Sequence, residues 1–178
     1  MRAFLATTAL ASALLAPAAS AQLSVTTIGA TNAQACYEDA RGMTSDAARC
    51  DEALEEDALS PKDRQATLVN RGIIHNRAGR YEKALADFDA ALDRDPALAE
   101  AWLNRGNTLL LTGRADAAIE NYQAALDNGI GAAAIAWYNI GLAYEAKDDA
   151  AKAREAFTKA LEIDPAFALA RDKLAGAG

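Results

Sequence analysis

Hydrophobic and polar positions between Gln65 and Phe167 follow one order three times. A large apolar residue is followed four positions later by glycine, then by a polar break, then by a small–aromatic–small series. The first copy reads Leu68, Gly72, Ala84, Phe88 and Ala91. The second reads Trp102, Gly106, Ala118, Tyr122 and Ala125, and the third Trp137, Gly141, Ala153, Phe157 and Ala160. Positions three and four apart share one face of a helix. The break inside each copy divides it into two such helices. The pattern therefore predicts three antiparallel hairpins built from helices of about 14 residues, a usual globular length. Gly72 to Gly106 is 34 residues, and Gly106 to Gly141 is 35.

This register, with Tyr144 in the third copy and Pro96 and Pro165 at copy ends, resembles the tetratricopeptide repeat. The resemblance implies an all-α fold, a right-handed αα-superhelix, with full repeats at residues 65–98, 99–133 and 134–167. It also implies binding as the broad function. Glycine inside a helix costs roughly 1 kcal/mol against alanine, so its recurrence requires a packing reason. The expectation is that Gly72, Gly106 and Gly141 let the first helix approach small residues of the second: Ala84, Ala118 and Ala153. Phe88, Tyr122 and Phe157 are expected to fill the space between successive hairpins. No hairpin buries its apolar face alone, so stacking is obligatory.

Gly79 and Gly113 suit left-handed turns between the paired helices, and Asp148 takes that place in the third copy. Asp95-Pro96 and Asp164-Pro165 mark passage from one hairpin to the next. The second copy instead exits through Asn128-Gly129-Ile130-Gly131, one residue longer and without proline. That predicts a looser junction there, or a local change in superhelix angle.

Residues 33–59 read as a degenerate further hairpin. Ala53–Asp57 aligns with Ala91–Asp95 at an offset of 38, which places Cys50 on Phe88. Gly42 ends its first helix, and Thr44-Ser45-Asp46 caps its second. Cys36 and Cys50 stand equidistant from Met43 in the turn, so they face each other, and an oxidising compartment would let them bond. Closing a loop of this size adds about 3 kcal/mol in the chain-entropy model. Such a staple would replace the glycine and aromatic that this hairpin lacks. The alternative is a redox-active pair. Against it stand the 14-residue separation and the neighbouring Glu38, Asp39 and Asp51, which would raise a thiol pKa. Ser60-Pro61-x-Asp63 then opens the first full repeat as N-cap, first-turn proline and acid. Residues 168–178 form a short capping helix and tail, with Arg171, Asp172 and Lys173 keeping the outer side polar.

Residues 1–21 read as a secretory signal: Arg2, the apolar run Ala3–Ala16, and Ala19-Ser20-Ala21 as the cleavage site. The apolar run is shorter than the ~20 residues of a membrane span. The expectation is cleavage after Ala21, a periplasmic address, and an extended or disordered leader at residues 22–32. Composition narrows the partner. The chain has 18 basic and 25 acidic residues, a net charge of −7, which becomes −8 when Arg2 leaves with the signal. Without a basic run, nucleic acid is excluded as a partner.

Candidate chemistry is sparse. His75 is the only histidine and occupies the position that Tyr144 takes in the third copy, which marks a packing residue. No metal ligand set, cofactor loop or catalytic pair emerges, and Glu55-Glu56-Asp57 is a solvated run. The chain is therefore read as a non-enzyme. In the family that it resembles, the second, fifth, ninth, twelfth and thirteenth repeat positions line a concave groove. Carried over, these give Val69, Ile73, Asn76 and Arg77 in the first copy. The second copy gives Leu103, Asn107, Leu110 and Leu111, and the third Ile135, Tyr138, Leu142 and Glu145. The set makes an apolar groove with a few polar contacts, suited to a peptide or helix with apolar anchors. Some family members clamp a C-terminal carboxylate with basic and asparagine residues, but here only Asn107 fits. Asn70, Asn104 and Asn139 recur at the sixth position as structural hydrogen-bonders.

The leading expectation is a periplasmic adaptor or scaffold holding an unidentified protein or peptide. The alternatives are self-association, a homodimer through the C-terminal hairpin, and a thiol redox protein. If the cysteines form a staple, Ellman's reagent titrates no free thiol in the native protein; two reactive thiols would exclude the staple.

Overall fold

A computed structural model describes residues 31–55 and 59–176. The expected signal at residues 1–21, and residues 22–30 of the expected leader, lie outside the described residues. Among those described, all regular structure is helical: α1 (Thr31–Arg41), α2 (Ala48–Glu55), α3 (Pro61–Arg77), α4 (Tyr81–Leu92), α5 (Ala99–Leu111), α6 (Ala115–Asp127), α7 (Ala133–Glu145), α8 (Ala150–Ile163) and α9 (Ala168–Ala175). Residues 31 and 32, expected in the leader, belong to α1. The pairs α3/α4, α5/α6 and α7/α8 are the three hairpins. The pair α1/α2 is the degenerate one, and α9 is the cap. Each helix packs on its chain neighbours, and the first helices of successive hairpins also meet. This is the nearest-neighbour architecture of a helical solenoid.

The glycines have a different partner from the one expected. A methyl group added at Gly106 would lie 2.6 Å from Cε1 of Tyr122. At Gly72 it would lie 2.6 Å from Cε1 of Phe88, and at Gly141 2.3 Å from Cε1 of Phe157. The aromatic ring of the second helix therefore rests where the first helix has no side chain. Ala84, Ala118 and Ala153 are buried, but they are not what the missing Cβ makes room for. Each ring also shares a core cluster with the alanine that opens the next hairpin: Ala101 for Phe88, Ala136 for Tyr122, Ala170 for Phe157. One ring thus closes its own hairpin and belongs to the cluster that continues into the next first helix. Trp102 and Trp137 each pack against two clusters and make the core continuous along the array.

The turns follow the sequence. Gly79, Gly113 and Asp148 all have positive φ, at 71°, 76° and 59°. Ser60 accepts from the Asp63 backbone N–H at 3.1 Å and donates its hydroxyl to Asp63 Oδ2 at 2.7 Å, with Pro61 in the first turn. The long exit after α6 is not loose. Gly129 takes a φ of 76°, which turns Ile130 inward. Ile130 is buried among α5–α8 side chains, and its N–H bonds Ala125 O at 3.0 Å. The extra residue is absorbed by one apolar anchor in place of proline.

Alanine at Gly106 raises helix propensity by up to ~1 kcal/mol. Because the Tyr122 ring is fully buried and cannot withdraw, Gly106→Ala nonetheless destabilises the fold by about 1–3 kcal/mol. Urea unfolding of the two proteins measures the sign, and a stabilised variant would refute the packing role of the ring.

Candidate functional site: the concave face

The residues assigned to the groove divide into two groups. Those of the first copy are already occupied. Val69 and Ile73 have no exposed surface and share a cluster with Cys36, Ala40 and Cys50. Asn76 is buried as well. Arg77 donates to three backbone oxygens of the N-terminal hairpin: Ala40 at 2.6 Å, Thr44 at 2.8 Å and Asp39 at 3.3 Å. These positions hold α1/α2 in place and are not a free groove.

In the second and third copies, Leu103, Asn107, Leu110 and Tyr138 are buried too. Tyr138 lies between Phe157 and Phe167, with ring centroids 5.5 and 5.2 Å away, because the cap segment folds over it. Four predicted residues stay accessible. Leu111 is 41% exposed, Ile135 and Leu142 are half-buried, and Glu145 is exposed, bonded to Lys173 at 2.5 Å. Two accessible residues were missed, Leu169 and Asp172, both on α9. Their signal is register. Arg171 follows Pro165 as Trp102 follows Pro96, and it makes the same bond: Trp102 Nε1 donates to Pro96 O at 2.8 Å, Arg171 Nη2 to Pro165 O at 2.9 Å. That register puts Leu169 and Asp172 at the second and fifth groove positions.

Beneath this surface is a polar pair. Asn107 Oδ1 accepts from Tyr122 Oη at 3.0 Å and from Asn139 Nδ2 at 2.9 Å. Burial pushes the Tyr122 phenol up, so it stays protonated and donates. Asn107 Nδ2 and Asn139 Oδ1 are buried without a hydrogen-bond partner. Such atoms cost about 1–3 kcal/mol each. Asn104 instead bonds Glu100 O within its own helix at 2.9 Å.

A clasp of charged residues joins the N-terminal hairpin to the array. Arg71 grips Asp87 with two bonds, 2.6 and 3.0 Å, and reaches Asp51 of α2 at 2.7 Å. Arg80 donates to Ser45 O at 2.6 Å and to His75 Nδ1 at 3.0 Å. His75 Nε2 stands 3.8 Å from Asp87. In the second copy Arg105 bonds Asn121 at 3.0 Å and Asp89 at 2.7 Å. The recurring signal was Arg71 and Arg105 at the seventh position, each followed sixteen residues later by Asp87 or Asn121. Cys36 and Cys50 are joined as a disulfide, Cα atoms 4.8 Å apart, and both are fully buried. Among the described residues no cluster of potential metal ligands occurs, and no helix is long and apolar enough to cross a membrane.

Tetratricopeptide repeat models match residues 32–97, 69–133 and 134–167. The chain belongs to the tetratricopeptide repeat family. It is 36% identical over 76 residues to NADPH oxidase activator 1 of Rattus norvegicus, a match covering 43% of this chain and 17% of that protein. The match thus spans less than a fifth of that relative's length. Among solved structures, a crystal structure of MamA is similar at 25% identity, with a TM-score of 0.64 and 74% of each chain covered. MamA residues 41-end from Desulfovibrio magneticus RS-1 is similar at 24% identity and a TM-score of 0.66, covering 83% of this chain and 84% of that one. The first repeat domain of Spaghetti (RPAP3), bound to the HSP90 peptide SRMEEVD, has a TM-score of 0.59 at 19% identity, covering 64% of this chain and 89% of that one.

Burial, with help from Arg80 and Arg71 and against Asp87, holds His75 below its ordinary 6.5. The fold therefore favours the neutral ring, whose Nδ1 accepts from Arg80. The stability that this contributes is complete above pH ~6.5 and is lost as pH falls through the lowered folded value. Urea unfolding at pH 7.5 and 5.5 should show weaker wild-type stability at the lower pH. The difference should shrink in His75→Gln; an unchanged difference would remove His75 as its source.

Proposed function

We propose that this protein is a periplasmic adaptor that holds a peptide or protein segment on the C-terminal half of its concave face. One observation carries the reading. Leu111, Ile135 and Leu142 are apolar, sit at groove positions and keep accessible surface, as does Glu145, while the remaining predicted groove residues are spent on internal packing or on holding the N-terminal hairpin. Grooves of this kind take segments with apolar anchors. Membership of a family of protein-interaction repeats supports binding over catalysis. The RPAP3 neighbour, whose structure contains a peptide, is consistent with that class. The periplasmic address rests on the signal-like residues 1–21 and on a buried cysteine pair suited to an oxidising compartment.

The second reading is self-association through the C-terminal end. It is favoured by Ile163 and Leu169, exposed to 50% and 40% beside the cap. Light scattering separates the two readings, since a monomer at micromolar concentration counts against it.

Leu103 and Tyr138 are too buried to serve as binding probes, because charges there would unfold the site. Leu111 is 41% exposed and Leu142 half-buried, so Leu111→Glu with Leu142→Glu disturbs the core less. Crosslinking and pull-down of the tagged protein from its own envelope should recover a partner with wild type and lose it with this double variant, both checked by circular dichroism. Equal recovery would move the binding surface elsewhere.

A further inference from the structure

We infer that the segment taken by this groove is apolar and basic: leucine-like side chains interspersed with Lys or Arg. The inference rests on the groove reading and adds the charge of the occupant. Successive first helices place Leu111, Ile135, Leu142 and Leu169 on the concave side, all with accessible surface. Between them stand carboxylates. Glu100 and Leu169 occupy equivalent second positions, Asp172 a fifth and Glu145 a twelfth.

The donors of the nearby cations are already engaged, those of Arg171 in part by the Pro165 carbonyl. Arg77, the basic residue among the predicted groove positions, gives its donors to Asp39, Ala40 and Thr44 carbonyls. Lys173 is bonded to Glu145. Glu100 and Asp172 form no ion pair among the described residues. The Tyr138 phenol, pushed up first by burial, also feels Lys173, Glu145 and Asp172, which gathers those three charges at one ring beside the strip. The result is an apolar strip beside two carboxylates, Glu100 and Asp172, that have no ion-pair partner among the described residues. Like charge set against it is penalised, and opposite charge steers association.

The lysines and arginine of the outer side do not alter this. Arg154, Glu155, Thr158 and Lys159 line a shallow hollow on α8 alone, where Lys159 also bonds Glu155 at 2.7 Å and covers the Trp137 ring.

The test uses the mature protein and two fluorescent probes, one short peptide of leucine and lysine at helical spacing and its twin with glutamate for lysine. Fluorescence anisotropy at low salt should show the lysine probe binding at least about tenfold more tightly, with the preference shrinking as salt rises. Glu100→Lys with Asp172→Lys should reverse the preference. Glu162→Lys, on the outer side of α8, should leave it unchanged. Equal binding of both probes, weakened by Leu111→Asn with Leu142→Asn, would overturn the charge inference and leave the groove reading standing. If those leucine variants change nothing, or neither probe binds, the groove reading falls and the inference falls with it.

Discussion

An aromatic ring lying where a glycine has no side chain is the contact on which this array depends. It fixes how closely the two helices of a hairpin approach. Because the same ring shares a core cluster with an alanine of the next first helix, it also contributes to how the units stack. One contact thus bears on both the local and the long-range geometry. A helix-compatible residue with any Cβ at Gly72, Gly106 or Gly141 would disturb both together. The tryptophans at the fourth position act differently, as seams between core clusters, and the bond from Trp102 to the Pro96 carbonyl orients α5 against the turn before it.

The two ends of the array solve the loss of that contact in different ways. The N-terminal hairpin has no glycine–aromatic pair; a disulfide joins its helices, and arginines 71, 77 and 80 attach it to α3 and α4. Fastening that hairpin consumes the groove positions of the first copy. At the other end of the described residues stands α9 in the place of a first helix, with Arg171 where the tryptophan stands in α5 and α7. The N-terminal hairpin thus covers the groove positions of the first copy, and the accessible apolar groove residues fall in the second and third copies and on α9.

The hairpins, their turns and the cap were legible because each rests on a local rule: helical period, a left-handed glycine, a proline at a helix start. The partner of the glycine was not legible in the same way. Spacing shows that Ala118 and Tyr122 both lie on the inner face of α6, but not which of them fills the notch at Gly106. Accessibility of the groove was the least legible feature. Val69 and Tyr138 share a repeat position with residues that line grooves elsewhere, yet each is covered by an end element, α1/α2 over Val69 and the segment of Phe167 over Tyr138. The Arg71–Asp87 and Asn107–Asn139 bonds were written in the register but involve residues scattered over two or three helices, so only the fold brings them to notice.

The unequal anchoring of the ends gives the array a direction of fraying. In a nearest-neighbour solenoid the outermost element opens first and at the least free energy. At the N-terminus that element is cross-linked and clasped. The last described helix is the eight-residue α9, held by Ala170 and Leu174 in its cluster, by the Phe167 N-cap against Tyr138 and by the Lys173–Glu145 bridge. Amide hydrogens of α9 should therefore exchange with solvent before those of α3. Opening of α9 also uncovers Tyr138 beside Leu142, so the accessible strip widens when that helix frays.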